Sequence, residues 1–455
     1  VLVVILLAGG LFGYDQGVIS GALHGMETEL SLSRFIVEVV TSWVTLGALF
    51  GALAAGELAD GLGRKRTLLI AGAMFAIGSI IQALAPGTVV LVVGRLVVGA
   101  GVGVAAVAAP LYAAELAPTS LRGRFVSAYQ LAITAGIFLA YLVDGWLSQA
   151  DEWRLMLGAA MVPGVLLFGV TLIAPESPRW LLKMHRREDA TAALAKIRPG
   201  VDFGPRIAAI EAVLRKDARK ASWGEVFTRE WRRPLLIGVG LAVFQQITGI
   251  NAIIYYADQI FAAAGFASQA AQTMATTWAI GAVNVLATLI AIAFIDSMGR
   301  RKLLLIGLLG MGVSLIVVGA AFEFIAPPAA GAAAGAAVAA SAAPTTAGMV
   351  TLIALVAFII SFAFSMGPVV WTVINEIFPG RIRGRAVAVA TAVNWASAFL
   401  VSQFFLSLID AIGNSMTFWL FALFCAIGFV WIWRAVPETK GRSLEDIQLL
   451  WHRGT

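Results

Sequence analysis

Twelve apolar runs, each about long enough to cross a bilayer as a helix, recur along this chain of 455 residues. They lie near residues 1–22, 35–58, 67–85, 88–114, 124–147, 155–173, 235–262, 270–295, 303–325, 349–377, 385–409 and 413–435. The pattern predicts an all-α membrane protein of twelve transmembrane helices. Only 13% of residues are charged and 60% are hydrophobic, about half the charge of a water-soluble domain, which excludes a soluble α/β enzyme. The chain opens in apolar sequence at Val1, which points to a short trimmed leader. It has neither the basic start nor the small-residue cleavage site of a signal peptide. Cys425 stands alone, so no intrachain disulfide can form.

The connections alternate in charge. Basic clusters follow spans 2, 4, 8 and 10: Gly63-Arg64-Lys65-Arg66, Leu121-Arg122-Gly123-Arg124, Gly299-Arg300-Arg301-Lys302 and Arg381-Ile382-Arg383-Gly384-Arg385. The loop after span 6 holds fourteen Lys and Arg, whereas the other side carries only Arg34 and Arg154. The positive-inside rule then predicts both termini in the cytosol. It also accounts for the net charge of +6 without any nucleic-acid partner. The expected units are a six-helix half at 1–173, a cytosolic linker with short helices at 174–234, a second half at 235–436 and a cytosolic tail at 437–455. Residues 326–348, nearly all Ala, Gly and Pro, read as an outer-side linker.

An internal repeat supports the two halves. Asp60-Gly61-Leu62-Gly63-Arg64-Lys65 returns as Asp296-Ser297-Met298-Gly299-Arg300-Arg301, offset by 236. Glu115, Pro118, Arg122 and Gly123 return as Glu376, Pro379, Arg383 and Gly384, offset by 261, and Pro175-Glu176 returns as Pro437-Glu438, offset by 262. The change in offset falls where the Ala-rich loop lies, so that loop is an insertion in the second half. Parallel repeats of six spans are one plan of membrane transporters, with the solute held between the halves at mid-membrane.

Polar residues inside the spans point to the solute. Gln245, Gln246 and Asn251 lie in span 7, Gln130 in span 5, Asn284 in span 8 and Asn394 in span 11. Each amide needs a partner once water is gone. Amides both donate and accept hydrogen bonds, so together they suit an uncharged polyhydroxylated solute; hydrogen bonds between helices are the alternative use. Trp371 and Trp395 lie well inside their spans, where an indole can cover an apolar C–H face. In a regular helix Gln246 and Asn251 would point about 140° apart, and Gly249 is placed to break the helix so that they converge. Two ionisable groups, Asp15 and Arg95, each sit seven residues from the outer ends of spans 1 and 4. Both are thus about 10 Å deep, and an ion pair between them is predicted. The guanidinium favours the charged acid while loss of water favours the neutral one, so rearrangement could move a proton.

Together these motifs resemble the sugar porter family of the major facilitator superfamily. They are Asp-x-x-Gly-Arg after spans 2 and 8, Glu-x-x-Pro-x-x-x-Arg-Gly after spans 4 and 10, Pro-Glu-Ser-Pro-Arg at 175–179, Gln-Gln-x-x-Gly-x-Asn at 245–251 and Pro-Glu-Thr-Lys-Gly at 437–441. The match runs from Gly13 to Gly441. The resemblance implies a sugar pocket lined by Phe12, Gln130, Gln245, Gln246, Asn251, Asn284, Trp371, Asn394 and Trp395. It implies proton coupling at Asp15 with Arg95, because uncoupled members carry Asn at the Asp15 position. Asn394 matches the glucose facilitators, whereas xylose symporters carry Gln, which tilts the expectation toward a hexose. An outer gate at Tyr255 and Tyr256 is expected, with Gly367-Pro368 bending span 10. A cytosolic gate of ion pairs within and between halves is expected from Asp60, Arg64, Glu115, Arg122, Glu176, Asp296, Arg300, Glu376, Arg383 and Glu438.

The expected function is a proton-coupled monosaccharide symporter working by alternating access, glucose favoured. An uncoupled sugar facilitator, or a transporter of inositol or a pentose, is the alternative. A membrane sugar sensor would carry a longer tail. An enzyme finds no support: the only histidines are His24, His185 and His452, read as loop residues, and no phosphate-binding motif occurs. No cofactor and no metal are expected. The expected partners are sugar, protons and lipid, for a monomer in a prokaryotic inner membrane.

Overall fold

In the computed structural model, residues 1–116, 122–147, 152–197, 202–216, 223–323, 345–378 and 380–440 are described, and among them there is no β-strand. Eleven helices are long and apolar enough to cross a membrane. The last, Gly380–Ala435, is two spans joined at Gly413, whose φ of 82° breaks the helix. Twelve spans result, as the sequence predicts. Nearly all of the Ala-rich segment, the last residues of the tail and the side chains of Arg122 and Asp296 lie outside the described residues.

Small residues bring the first six spans together. Gly9, Gly13, Gly17 and Gly21 repeat every fourth position along span 1, Leu2–Leu30, and so share one face. Span 5, Arg122–Leu147, lies directly on that face: a Cβ at Gly13 would overlap the Ile133 carbonyl, and one at Gly17 would sit 2.8 Å from the Ile137 carbonyl oxygen. Span 2, Arg34–Gly61, and span 4, Thr88–Leu116, repeat the device, with Gly99 against Val44 and Gly103 against Ala48. Lipid supplies no hydrophobic drive between helices, so close backbone approach and van der Waals contact must hold them. The outward faces are apolar, with Val89, Trp146, Ile173 and Ile353 mostly exposed, as lipid contact requires.

Three spans of the second half are irregular. Span 7 runs Arg232–Ile247, breaks at Gly249 with φ 93°, and resumes as Ile250–Tyr255 and Ala257–Ala263. Span 8 contains a π-helical stretch, Thr276–Ala282, ahead of Val283–Met298. Span 10 is Thr346–Phe364 and Met366–Ile377, broken at Ser365. Pro368 explains that break: it has no N–H to give, and its ring clashes with the carbonyl four residues back, at Phe364. The halves meet where span 2 faces the last two spans, where span 5 faces span 8, and where span 1 faces span 7.

Span 1 is longer than the apolar run suggests, ending at Leu30 and not near residue 22. His24 is therefore helical and not in a loop. The extra turns persist because their acids find partners: Glu27 accepts from Gln259 at 2.8 Å, and Glu29 from Trp153 at 2.7 Å and from Arg154. The segment after span 6 forms short helices, Pro178–Lys183, Arg187–Ile197, Gly204–Lys216 and Trp223–Val226. Trp180, Leu181, Leu194, Phe203 and Ile207 give it a small core of its own.

Gly13→Ala should lower unfolding free energy by about 1–3 kcal/mol, the typical cost of overpacking. Gly10→Ala, whose Cβ would stand 3.9 Å from its nearest neighbour, should be neutral or slightly stabilising. Melting curves of detergent-purified protein, read by size-exclusion chromatography, check this. Equal melting of both variants would contradict direct backbone contact between spans 1 and 5.

Candidate functional site: a buried amide chain beside an ion pair

The break at Gly249 determines the centre of the molecule. It turns span 7 so that Asn251, in its first turn after the break, donates to Gln246, in the last turn before it, at 2.8 Å. Gln246 donates to Asn394 Oδ1 at 3.2 Å. Asn394 donates to Gln245 Oε1 at 2.7 Å and to the Ala242 carbonyl at 3.2 Å. Gln245 closes the run on the Met366 carbonyl at 2.7 Å, next to the break in span 10. The other end reaches the first half, where Gln16 of span 1 donates to Asn251 Oδ1 at 3.2 Å.

Gln16, Gln245, Gln246, Asn251 and Asn394 are all buried. Each amide has two donors and two acceptor lone pairs, and the chain uses only part of that capacity. What remains can exchange hydrogen bonds with hydroxyls of either polarity. Beside Asn394, the Trp395 ring meets Phe12 from the other half, centroids 5.3 Å apart and planes inclined at 57°. Two apolar faces thus flank a polar run, the lining that a sugar ring with C–H faces and hydroxyl rims requires.

Other residues singled out in the sequence lie outside this hydrogen-bonded run. Asn284 is buried and Gln130 half-buried, and neither has a hydrogen-bond partner among the described residues. Trp371 is half-buried after the span 10 break, and its carbonyl accepts from Asn375 at 2.8 Å. Gln16 escaped the sequence reading, although the rule applied to the other amides, a polar side chain within an apolar span, would have found it.

Asp15 and Arg95 form the expected ion pair at 2.8 Å, with the Arg95 side chain fully enclosed and that of Asp15 6% exposed. Arg95 Nε also donates to the Val40 carbonyl at 3.0 Å, which fixes the guanidinium. The pair abuts the amide chain because Asp15 and Gln16 are consecutive. Tyr255 lies beside Gln16 and close to both charges. Tyr256 donates to the Ser402 carbonyl at 3.0 Å and stacks on Phe405.

The end of the bundle with the basic loops repeats one motif in each half. Arg64 pairs with Glu115 at 2.9 Å and with Asp60 at 3.4 Å, and Arg300 pairs with Glu376 at 3.2 Å. Glu176 accepts from the Arg64 N–H at 3.0 Å and the Lys65 N–H at 3.1 Å; Glu438 accepts from the Arg300 N–H at 2.9 Å and the Arg301 N–H at 3.1 Å. Ser177 donates to Glu115 and Thr439 to Glu376, in the same twofold relation. Gly63 and Gly299, with φ of 98° and 88°, permit these turns, where a side chain would also run into Glu176 or Glu438. Arg383 donates to the Phe378 carbonyl at 3.0 Å.

These bonds each join residues of one half. The sequence expectation also had pairs between halves at this end; the side chains of Arg122 and Asp296 lie outside the described residues, and among the described residues cross-half bonds occur at the opposite end. There Ser42 donates to Gln403 at 2.7 Å, Glu38 accepts from the Ser407 N–H and hydroxyl at 2.6 Å each, and Arg34 pairs with Asp410 at 3.1 Å. Tyr141 donates to the Ile254 carbonyl at 2.9 Å and the Asp258 N–H to Ser20 at 3.1 Å. Glu38, Asp144 and Asp258 are thus buried acids within the helices in addition to Asp15. They lie near span ends, where sequence alone does not separate buried from wet. Among the described residues no group of three or more His, Cys, Asp or Glu converges as metal ligands would.

Comparison with known proteins agrees with this architecture. The family described as "Sugar (and other) transporter" matches residues 1–451. An arabinose-proton symporter of Bacillus subtilis is 35% identical over 98% of this chain and 93% of its own length. The glucose transporter GlcP of Staphylococcus epidermidis is 37% identical over 97% of this chain and 94% of its own. Among solved structures, a partially occluded inward-open conformation of the xylose transporter XylE from E. coli superposes with a TM-score of 0.82 at 29% identity, covering 97% of this chain and 98% of that one. The twelve broken and unbroken spans, the twofold motifs and these matches agree: the chain belongs to the sugar transporter family of the major facilitator superfamily, membrane transporters and not enzymes.

Proposed function

We propose that this protein is a proton-coupled monosaccharide symporter that works by alternating access, with glucose the favoured solute. The observation that carries the reading is the direct succession of Asp15 and Gln16. One is paired to Arg95 within the first half; the other is hydrogen-bonded to Asn251 in the second. A change in the charge of Asp15 is therefore felt one residue away by the contact that joins the halves over the amide chain.

The cycle follows from electrostatics. Ionised Asp15 holds Arg95, whose other bond ties it to span 2 through Val40. A proton on Asp15 neutralises the carboxylate and frees the guanidinium, so that span 1 can shift against spans 2 and 4. Buried ion pairs are strongly destabilised when one partner loses its charge, which gives the proton leverage over the rearrangement. Sugar bound by Gln245, Gln246, Asn251 and Asn394, with Trp395 and Phe12 against its apolar faces, would join the halves and favour the passage. The relatives' names include arabinose and glucose; Asn394, with a shorter side chain than Gln, leaves room for the additional hydroxymethyl group of a hexose. The proton gradient then supplies the energy, with no cofactor.

The positive-inside rule assigns the basic end and both termini to the cytosol, and a bacterial inner membrane and a monomer complete the reading. The cross-half bonds at the opposite end and the motif pairs inside each half support an inward-facing reading. The twofold ion pairs at the cytosolic end and Tyr255 and Tyr256 at the other are the gates. Each partly exposed pair counts for about 0–1 kcal/mol, enough in combination to bias two states that differ by a few kcal/mol.

In proteoliposomes, Asp15→Asn should keep glucose counterflow but lose accumulation against a gradient under an imposed pH difference. Wild-type protein that exchanges glucose, xylose or inositol yet never accumulates any of them would turn the assignment to an uncoupled facilitator. Gln246→Ala should raise the half-saturating glucose concentration about 5- to 150-fold, the equivalent of about 1–3 kcal/mol for a buried polar partner left unmet. Unchanged affinity in that variant would remove the amide chain from the binding site.

A further inference from the structure

Span 5 ends in an acid that neither the amide chain nor the Arg95 pair uses. Asp144 is fully enclosed. Its Oδ2 accepts only a long bond from the Gly21 backbone N–H, at 3.3 Å, and its Oδ1 has no partner. Gly21, last in the glycine stripe, lets the acid press on span 1: a Cβ there would lie 2.6 Å from the carboxyl carbon. Across the junction of the halves, Asp258 of span 7 donates its backbone N–H to Ser20, the residue before Gly21, so the two acids bracket consecutive residues of span 1. Asp258 is well provided for, accepting from the hydroxyls of Thr273 at 2.8 Å and of Thr276.

The titratable groups facing Asp144 are Tyr14 from span 1, Tyr141 one turn earlier on its own helix, and Asp258. No Lys, Arg or His forms an ion pair with either acid among the described residues. Two like charges in a dry site cannot both be ionised. Two hydroxyl donors suit Asp258 as the charged member, and the bare oxygen of Asp144 marks it as the neutral one. A cleft lined by Ser20, His24, Glu27, Asp258, Gln259 and Gln272 reaches Asp258 at the end where the halves are joined.

We propose that Asp144 and Asp258 form a second proton-binding site, loaded with one proton on Asp144 when this end closes and emptied to water when the halves part here. Closing removes water from both acids and brings a second carboxyl across the junction; opening hydrates Asp144 and relieves the repulsion. Closure of this end is then linked to one proton independently of Asp15. The inference rests on the alternating-access reading, so the test reads closure directly and without transport.

Spin labels on Val89→Cys and Met349→Cys, exposed positions at this end of the two halves, report the separation by double electron–electron resonance. The measurements are made in the Asp15→Asn background, from about pH 5 to pH 9. The ratio of closed to open protein should fall as pH rises, by about tenfold per unit at its steepest for one linked proton. Asp144→Asn, which imitates the protonated acid, should abolish that dependence while leaving a monodisperse protein active in counterflow. Asp258→Asn, a second and independent variant, should move the midpoint to lower pH. A pH response that survives Asp144→Asn unchanged overturns the proposal. A separation insensitive to pH in the Asp15→Asn background overturns it too, even where sugar still moves the labels. A separation that neither pH nor sugar moves removes the alternating-access reading beneath it.

Discussion

In hydrocarbon, no water completes a hydrogen bond that the protein leaves open. The arrangement of the spans and of their breaks follows from that constraint. Backbone groups pair within helices, so spans are helical throughout the lipid-facing surface. The helices break only inside the bundle, where side chains are at hand: Gln245 serves the Met366 carbonyl beside one break, and Asn251 and Gln246 bond across the other. Amides that would be costly alone become cheap in series, because each supplies what its neighbour lacks. The buried Arg95 persists for the same reason, held by one carboxylate and one carbonyl.

That constraint also explains what could be read from the sequence. Long apolar runs follow directly from it, and the twelve spans, the two halves and the break at Gly249 were all legible. Depth arithmetic paired Asp15 with Arg95 although span 1 extends to Leu30, because helix length beyond the membrane does not change the depth of a residue within it. The hidden features are those that depend on which face of a helix meets which neighbour. Glycines at 9, 13, 17 and 21 look unremarkable in an apolar run until span 5 is laid on them. Glu38, Asp144 and Asp258 lie near span ends, where hydropathy cannot distinguish a solvated acid from one enclosed by the other half. Gln16 was obscured by its charged neighbour.

The repeated motifs hold each half to itself. Arg64 with Glu115 and Glu176, and Arg300 with Glu376 and Glu438, clamp helix ends inside a half at the basic end. Direct backbone contact between spans 1 and 5 and between spans 2 and 4 stiffens the first half further, since close-packed interfaces have few alternative arrangements. Bonds between the halves are more scattered: single hydrogen bonds such as Ser42 to Gln403 or Gln16 to Asn251, the two bonds that Glu38 accepts from Ser407, and an exposed Arg34–Asp410 pair, which water or solute can replace. Motion of two stiff bodies along a seam of exchangeable bonds is the mechanical form this construction favours.

Both breaks adjoining the amide chain lie in the second half, whereas Asp15 and Arg95 lie in the first. On the proposed reading, cargo and fuel are therefore written in different stretches of the gene, with Gln16 the one member of the hydrogen-bonded amide chain on the fuel side. A lineage can change what it carries by altering spans 7 and 11, or abandon its energy source by one substitution in span 1, without rebuilding the other function. The duplicated architecture thus leaves selectivity and energetics free to evolve as separate traits.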